Sequence, residues 1–245
     1  MPTPCDPLLN AILRALSPAE FEYIAPRLEL VSMSSAEVLY EVNEKLRYAY
    51  FPITATASLL CGLEDGTSVE VAVVGHEGML GVSVYMGSDA PLTQATIHTA
   101  GFLYRIPAQL MQEALTRSGG RRAGTLQSIL LRYTQTLIIQ MAQTTACNRR
   151  HSVEQQLCRW LLLNFDRVHS NSLTMTQELI ANMLGVRRES ITEAARKLQL
   201  AGILNYRRGH IEVTNRAELE AHVCECYKVL KKESESLSTY LLAAA

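Results

Sequence analysis

The stretch from Gly185 to Leu204, GVRRESITEAARKLQLAGIL, crowds Arg187, Arg188 and Glu189 at the start of a segment whose apolar residues fall behind them. Arginine presents a planar fork of donors to guanine O6 and N7, and glutamate can accept from cytosine N4. A helix carrying such residues on one face can read base edges in a major groove. Whether these charges meet DNA or only solvent depends on the elements that hold them. Counting positions from Gln177, Ile180 is apolar at position 4 and Ala181 is small at position 5, where two helices would touch. Leu184 is apolar at position 8, and Gly185 suits a turn at position 9. Val186, Ile191 and Ala194 face inward at positions 10, 15 and 18. All seven satisfy helix-turn-helix geometry. Thr174, three residues before Gln177, supplies a capping box for the first helix.

The outward positions of the second helix are then Arg187, Arg188, Glu189, Thr192, Glu193 and Arg196. Leu204–Val213 reads as strand, turn at Arg207-Arg208-Gly209, and strand, which completes a winged helix with turn arginines suited to phosphates. The competing reading is a helical hairpin with a solvated charged face. Charge distribution favours DNA. Residues 1–120 hold 6 Lys+Arg against 13 Asp+Glu, residues 121–214 hold 13 against 6, and the remaining tail holds 4 against 5. A basic block joined to an acidic one places the contact with a polyanion in the second half.

The rest of the chain predicts an α+β protein. Short helices over 7–26 bring Leu8, Ile12 and Leu16 to one face, with Pro18 opening a second segment. From Leu28 to Pro107 the pattern is strand-like: Val69, Val71 and Val73 alternate with Ser68, Glu70 and Ala72, and Asp65-Gly66 suggests a two-residue type I′ hairpin. Short strands punctuated by Gly and Pro suggest a β-roll or jelly roll, a double-stranded β-helix, rather than a parallel sheet. Pro107 begins another helix ending near Ser118-Gly119-Gly120. Residues 121–147 read as one long helix, with Leu126, Leu130, Tyr133, Leu137, Gln140 and Thr144 spaced 4, 3, 4, 3 and 4. That is a coiled-coil seam and favours a homodimer, with Gln140 and Thr144 setting register. Ile129, Ile138, Ile139 and Met141 widen the face enough to meet the chain's own β domain as well, and an ordinary core helix is the alternative. A further amphipathic helix carries Val153, Leu157, Trp160, Leu161 and Phe165, with Trp160 read as core. The expected domains are 1–120 (β-roll effector domain), 121–147 (dimerisation helix), 148–215 (winged helix) and 216–245. In the tail Leu219, Val223, Cys226 and Leu230 share a helix face that Leu237, Leu241 and Leu242 can extend, and the final YLLAAA is expected to fray.

TQELIANMLGVRRESITEAARKLQLAGIL resembles the helix-turn-helix signature of the Crp/Fnr superfamily of bacterial transcription regulators. EVLYEVNE, YAYFP and VVGHEGMLG resemble the effector domain of one branch, and the order of parts matches over roughly residues 10–215. The resemblance implies a homodimer on a palindromic operator in double-stranded DNA, working in the cytoplasm, with RNA polymerase a further partner. It implies base readout by Arg188 and Glu189, with Thr192 and Glu193 on the same face. Phosphate contacts fall to Thr176, Arg187, Arg196, Lys197, Arg207 and Arg208. Glu193 stands where the cyclic-AMP-responsive members use a second base-reading arginine, so their operator does not carry over. Those members hold the ribose with a Gly-Glu pair and the cyclic phosphate with an arginine. The matching segments here are Gly78-Met79-Leu80-Gly81 and Thr93-Gln94-Ala95, which lack both charges. A buried phosphate without a cation is poorly compensated. The expectation is no tight cyclic-AMP binding, with Gly78, Met79, Leu80, Thr93, Gln94 and Ala95 left as a candidate pocket for an unidentified small-molecule effector.

No cofactor is expected. The six cysteines (5, 61, 147, 158, 224 and 226) include no CxxC and read as reduced thiols, the Cys224-x-Cys226 pair as two residues of a terminal helix rather than a metal site. Relatives that bind an iron–sulfur cluster carry several N-terminal cysteines, whereas only Cys5 lies there. A haem ligand could come in principle from His76, His98 or Cys61, but a lone histidine on a strand reads rather as a surface or hydrogen-bonded residue. The six histidines (76, 98, 151, 169, 210 and 222) include no HxH pair, which disfavours a cupin-like metal enzyme. A DNA-binding architectural protein with a vestigial effector domain remains the nearer alternative. No apolar run reaches the ~18 residues of a membrane span, and no signal peptide opens the chain.

Overall fold

The computed structural model describes residues 5–88, 90–118, 125–168 and 170–244. They form two compact units. One comprises Met1–Leu59, Val74–Ile138 and Glu233–Ala245, the other Leu60–Val73 and Ile139–Lys232. Compactness thus divides the chain elsewhere than composition does. The long helix and the tail each contribute to both units, and one β-hairpin gives the end of its first strand and nearly all of its second to the second unit.

In the first unit, two short helices, α1 (Ala11–Arg14) and α2 (Pro18–Ile24), precede the strands. Ser17 and Glu20 cap α2 reciprocally, and Pro18 occupies its first turn, where a missing N–H costs nothing. The strands are β1 (Glu29–Met33), β2 (Val38–Tyr40), β3 (Tyr48–Pro52), β4 (Thr56–Gly62) and β5 (Ser68–Val74). After the short helix α3 (Ser83–Met86) come β6 (Gln94–Thr99) and β7 (Gly101–Pro107). One sheet has the order β1-β7-β3, antiparallel throughout, and the other the order β2-β6-β4-β5. Helix α4 (Ala108–Ser118) follows directly from β7, and α5 (Thr125–Arg150) is the long helix; residues 119–124, including part of the expected helix and its glycine boundary, lie outside the described set. Ile12, Phe51, Met79, Ile106, Met111, Leu126, Ile129, Leu130 and Tyr133 share one buried core. Tyr133 closes over Gly78, where an added Cβ would lie 2.5 Å from the phenol ring, and its hydroxyl donates to the Met79 carbonyl at 2.9 Å.

Several expectations need correction. Asp65-Gly66 is not a two-residue type I′ turn. Five residues, Leu63 to Thr67, connect β4 to β5, and of the pair only Gly66 has positive φ. Asp65 instead accepts from the Thr67 amide (2.9 Å) and hydroxyl (2.6 Å), and these bonds hold its carboxyl below the usual carboxylate range. Along β5 the valines are not the uniformly buried set: Glu70 is buried while Val69 and Val71 are half-buried. The reason is that Trp160 Nε1 donates to Glu70 Oε1 at 3.0 Å, so the carboxylate has a partner inside.

The dimer seam also changes. Leu126, Leu130, Tyr133 and Leu137 are all buried within the chain itself, Met141 is half-buried, Gln140 donates to the Val73 carbonyl at 3.2 Å, and Thr144 accepts from Arg159 at 3.1 Å. The residues with 3.5-residue spacing that remain exposed on α5 are Leu131 (60%), Gln135 and Ile138 (57%), followed by Ala142 and Thr145. The wide apolar face fills the core and leaves a neighbouring stripe exposed.

The second unit contains α6 (Val153–Phe165), β8 (Ser172–Thr174), α7 (Gln177–Leu184), α8 (Arg188–Leu200), β9 (Leu204–Arg207), β10 (His210–Val213) and α9 (Arg216–His222). Ser152 and Gln155 form a capping box on α6, whose residues Gln156 to Phe165 are all buried, Trp160 among them. The tail is two helices, not one. The chain breaks at Val223 and Cys224 before α10 (Glu225–Ala244), so Cys224 lies ahead of that helix and only Cys226 within it. Leu219, Tyr227 and Leu230 join the core of the second unit, whereas Leu237 and Leu241 join that of the first and Leu242 is exposed. The YLLAAA end is helical through Ala244 rather than frayed, and the adjoining turns of α10 are tied to α5 where Arg132 pairs with Glu233 at 2.6 Å. No helix among the described residues is long and apolar enough to cross a membrane.

Leu130→Ala should lower stability by about 2–5 kcal/mol, the range for truncating a buried leucine. In urea titrations that loss should be the same at low and high protein concentration, because Leu130 packs within its own chain. A loss that vanished at high concentration would return it to a dimer seam.

Candidate nucleic-acid interface

Helix α7 starts two residues later than the sequence pattern suggests. Thr174 is the last residue of β8 and meets His210 Nδ1 at 3.2 Å, so it caps nothing. The N-cap is Thr176, whose hydroxyl accepts from the Leu179 amide at 3.2 Å. At the other end Gly185 adopts φ 65° and ψ 37°, its amide reaches Ala181 and Asn182, and the Val186 amide bonds Ala181 O at 3.0 Å. This is a Schellman termination, which needs a residue free to enter the left-handed region. Arg187 is extended and stands as the N-cap of α8 without a side-chain cap bond, so it precedes the helix rather than lying on it.

On α8, Ile191, Ala194, Ala195 and Leu198 are buried against Ile180, Ala181 and Leu184 of α7 in one core. Arg188, Glu189, Thr192, Glu193, Arg196 and Lys197 are left exposed. Their contacts are loose surface ones. Arg188 lies 3.5 Å from Glu178, with both side chains about two-thirds exposed, and Glu193 meets Lys197 at 3.3 Å. Such pairs contribute little and exchange readily for another partner. The Thr192 hydroxyl lies 2.7 Å from Gln177 Oε1 and 3.1 Å from the Arg188 carbonyl, which ties α8 to the first residue of α7.

The wing is a three-stranded antiparallel sheet in the order β8-β10-β9; the sequence reading missed β8, three residues long and without alternation to mark it. Arg208 (φ 49°) and Gly209 (φ 82°) form a two-residue turn with both central residues at positive φ, the condition for a type I′ hairpin. Arg207 and Arg208 are exposed. Tyr206 braces the wing by donating to Met175 O at 2.7 Å, and burial pushes its phenol up to about 12, so it stays a neutral donor. Thr176, Gln177, Arg188, Tyr206, Arg208 and Gly209 together line a concavity of about 330 Å³. Of the residues expected to contact DNA, the fold brings three, Thr176, Arg188 and Arg208, around one hollow beside the exposed face of α8.

The candidate effector segments are arranged differently. Met79, Leu80 and Ala95 are fully buried, Leu80 exchanges backbone hydrogen bonds with Tyr50, and the Gly78 carbonyl accepts from Asn10 at 2.8 Å. Thr93 is half-buried, and Gln94 donates to Glu41 at 2.6 Å. Half of the six residues thus serve as core.

A constellation not legible from motif spacing lies elsewhere in the second unit. Cys147, His151, Cys224 and Cys226 present ligand atoms all within 4.8 Å of one another. The hydrogen bond with Cys147 lowers the Cys224 thiol from its ordinary value, whereas burial drives Cys158, outside the group, up to about 12. The signal available in sequence was Cys147-x₃-His151 on one helix face together with the CxC pair, seventy-odd residues apart.

Residues 155–222 match the family model of the Crp-like helix-turn-helix domain. Those residues therefore form a Crp-like helix-turn-helix domain. Among solved structures, a Crp/Fnr-family transcriptional regulator from Eubacterium rectale superposes with a TM-score of 0.67 at 18% identity, over 86% of this chain and 96% of that one. FixK2 from Bradyrhizobium japonicum gives 0.66 at 17% identity, over 80% and 98%. CLP, a c-di-GMP-responsive global regulator from Xanthomonas campestris, gives 0.63 at 14% identity, over 80% and 99%. At such identities the likeness is one of fold. No curated protein matches the chain.

Thr176→Ala should lower stability by about 1 kcal/mol through loss of the α7 cap, and Thr174→Ala by much less. Thermal unfolding of the two variants checks the assignment. Equal losses would contradict it.

Proposed function

We propose that the chain is a homodimeric, sequence-specific DNA-binding transcription regulator that acts in the cytoplasm on a palindromic operator. The observation that carries the reading is the division of α8: one face is locked into the core, and the other offers Arg188, Glu189, Thr192 and Glu193 to base edges. Arg187, Arg196, Lys197, Arg207, Arg208 and the Thr176 cap supply phosphate contacts around it. Glu193 competes between cytosine N4 and its neighbour Lys197, so it shifts base preference at one pair rather than adding affinity. A two-fold dimer would present two such helices to a palindromic site, whose half-sites in helix-turn-helix dimers lie about one duplex turn apart. The first unit senses something other than cyclic AMP, since neither a ribose-holding acid nor a phosphate-holding arginine stands in the matching segments.

Fluorescence anisotropy with a selected duplex tests the interface. Arg188→Ala should weaken binding by about 1–3 kcal/mol and relax discrimination at one base pair. Arg207→Ala should weaken binding evenly across sequences and reduce the slope of log K against log salt by about one. If Arg188→Ala kept both affinity and discrimination, the readout assignment would fail. For assembly, the double variant Leu131→Glu/Ile138→Glu should sediment as a folded monomer, and a persistent dimer would move the interface off α5. Calorimetric titration with cyclic AMP should show no micromolar binding; tight binding would overturn the sensor reading.

A further inference from the structure

We propose that Cys147, His151, Cys224 and Cys226 form a Cys₃His site for one zinc ion, which ties the C-terminal end of α5 to the joint between α9 and α10. The spacing of the donor atoms is that of a metal polyhedron. Cys147 and Cys224 sulfurs lie 3.6 Å apart, and Cys226 Sγ lies 3.4 Å from His151 Nδ1. With Zn–S bonds of about 2.3 Å, the sulfur–sulfur edge of a zinc tetrahedron is about 3.8 Å. A disulfide would need about 2.05 Å. The longest separation in the group, within 4.8 Å, closes to that edge with about 1 Å of side-chain movement.

Each donor is held by local structure. Cys147 and His151 are four residues apart, and the His151 amide still bonds Cys147 O at 3.0 Å, so both side chains leave the same side of the helix end. Cys224 precedes α10 and Cys226 lies in its first turn, which turns both sulfurs inward, where all three thiols are buried. The imidazole is oriented as a ligand. Its Nε2 faces Glu225 Oε1 at 3.2 Å, leaving Nδ1 toward the sulfurs. A carboxylate on the far nitrogen is the usual partner of a metal-binding histidine, fixing its tautomer.

Charge and donor type narrow the ion. Three thiolates and a neutral imidazole around a divalent ion leave a net charge of minus one, which a buried environment must balance. Arg159, only 3% exposed, brings a buried cation to the same stretch of α5, where it donates to Thr144 at 3.1 Å. All-sulfur-and-nitrogen donors exclude calcium and magnesium, which take oxygen. Four protein donors close the coordination sphere and leave no place for substrate, the arrangement of a structural zinc site.

The test is metal analysis of the full chain purified under reducing conditions and reconstituted with zinc chloride. One zinc per chain is expected, resisting dialysis, and chelation should lower the thermal midpoint. Cobalt exchange should give the visible bands of tetrahedral Co(II) with a thiolate charge-transfer band. Cys147→Ser and Cys224→Ser should lose stoichiometric zinc, and Cys61→Ser, at an exposed position outside the group, should keep it. Should the serine variants fail to fold, His151→Cys decides: it offers four thiolates and is expected to hold cobalt with altered, still tetrahedral bands. Metal-free wild-type protein after reconstitution, full zinc in Cys224→Ser, a Cys147–Cys224 disulfide under reducing conditions, or a His151→Cys protein without thiolate–cobalt bands would each overturn the proposal.

Discussion

The interlock of α7 and α8 is the constraint on which the candidate DNA-binding surface depends. Gly185 ends the first helix in a left-handed conformation, and Val186 then drops onto the core, so the second helix leaves at a set angle. Ile191, Ala194, Ala195 and Leu198 must face Ile180, Ala181 and Leu184. Once they do, no rotation of α8 is free. The charged residues point outward because the apolar stripe leaves them nowhere else, and small alanines at the contact allow the helices to approach. The wing depends on the same unit: β8 runs into the Thr176 cap, and Tyr206 reaches back to Met175 across the base of the hollow.

The long helix shows how one apolar face is shared between folding and assembly. Leu126, Leu130 and Tyr133 are consumed by the core of the first unit, where Tyr133 also seals Gly78 and bonds Met79. Leu131 and Ile138, on the adjoining stripe, stay exposed. Exposed aliphatic residues at seven-residue spacing are the usual raw material of a two-helix interface. The two stripes differ by a rotation of little more than one residue. Spacing alone identifies the repeat but not which of two overlapping stripes the core takes.

This difference explains what could be read from the sequence. The helix-turn-helix was legible because seven positions impose size and polarity within twenty residues, and each reports a contact made locally. Its wing was legible from Arg208-Gly209, whose turn chemistry is local too. The cap was misplaced by two residues because Thr174 and Thr176 are both competent caps, and only the course of β8 decides between them. Burial of Glu70 was not legible, since it depends on an indole ninety residues away. The Cys147, His151, Cys224 and Cys226 group escaped for the same reason: each half is unremarkable alone, and only the fold brings the halves together. Local constraints are written in the sequence, whereas pairings between distant segments are settled by packing.

Two copies of the α8 face are proposed to read one DNA site together. Selection of bound duplexes from a random pool by the purified full chain tests it most directly. The account predicts an enriched palindrome with half-sites about one helical turn apart, centre to centre, and a half-site unlike that of the cyclic-AMP-responsive regulators at the base pair facing Glu193. A pool that stays unenriched, or that yields a single unpaired half-site, would contradict it.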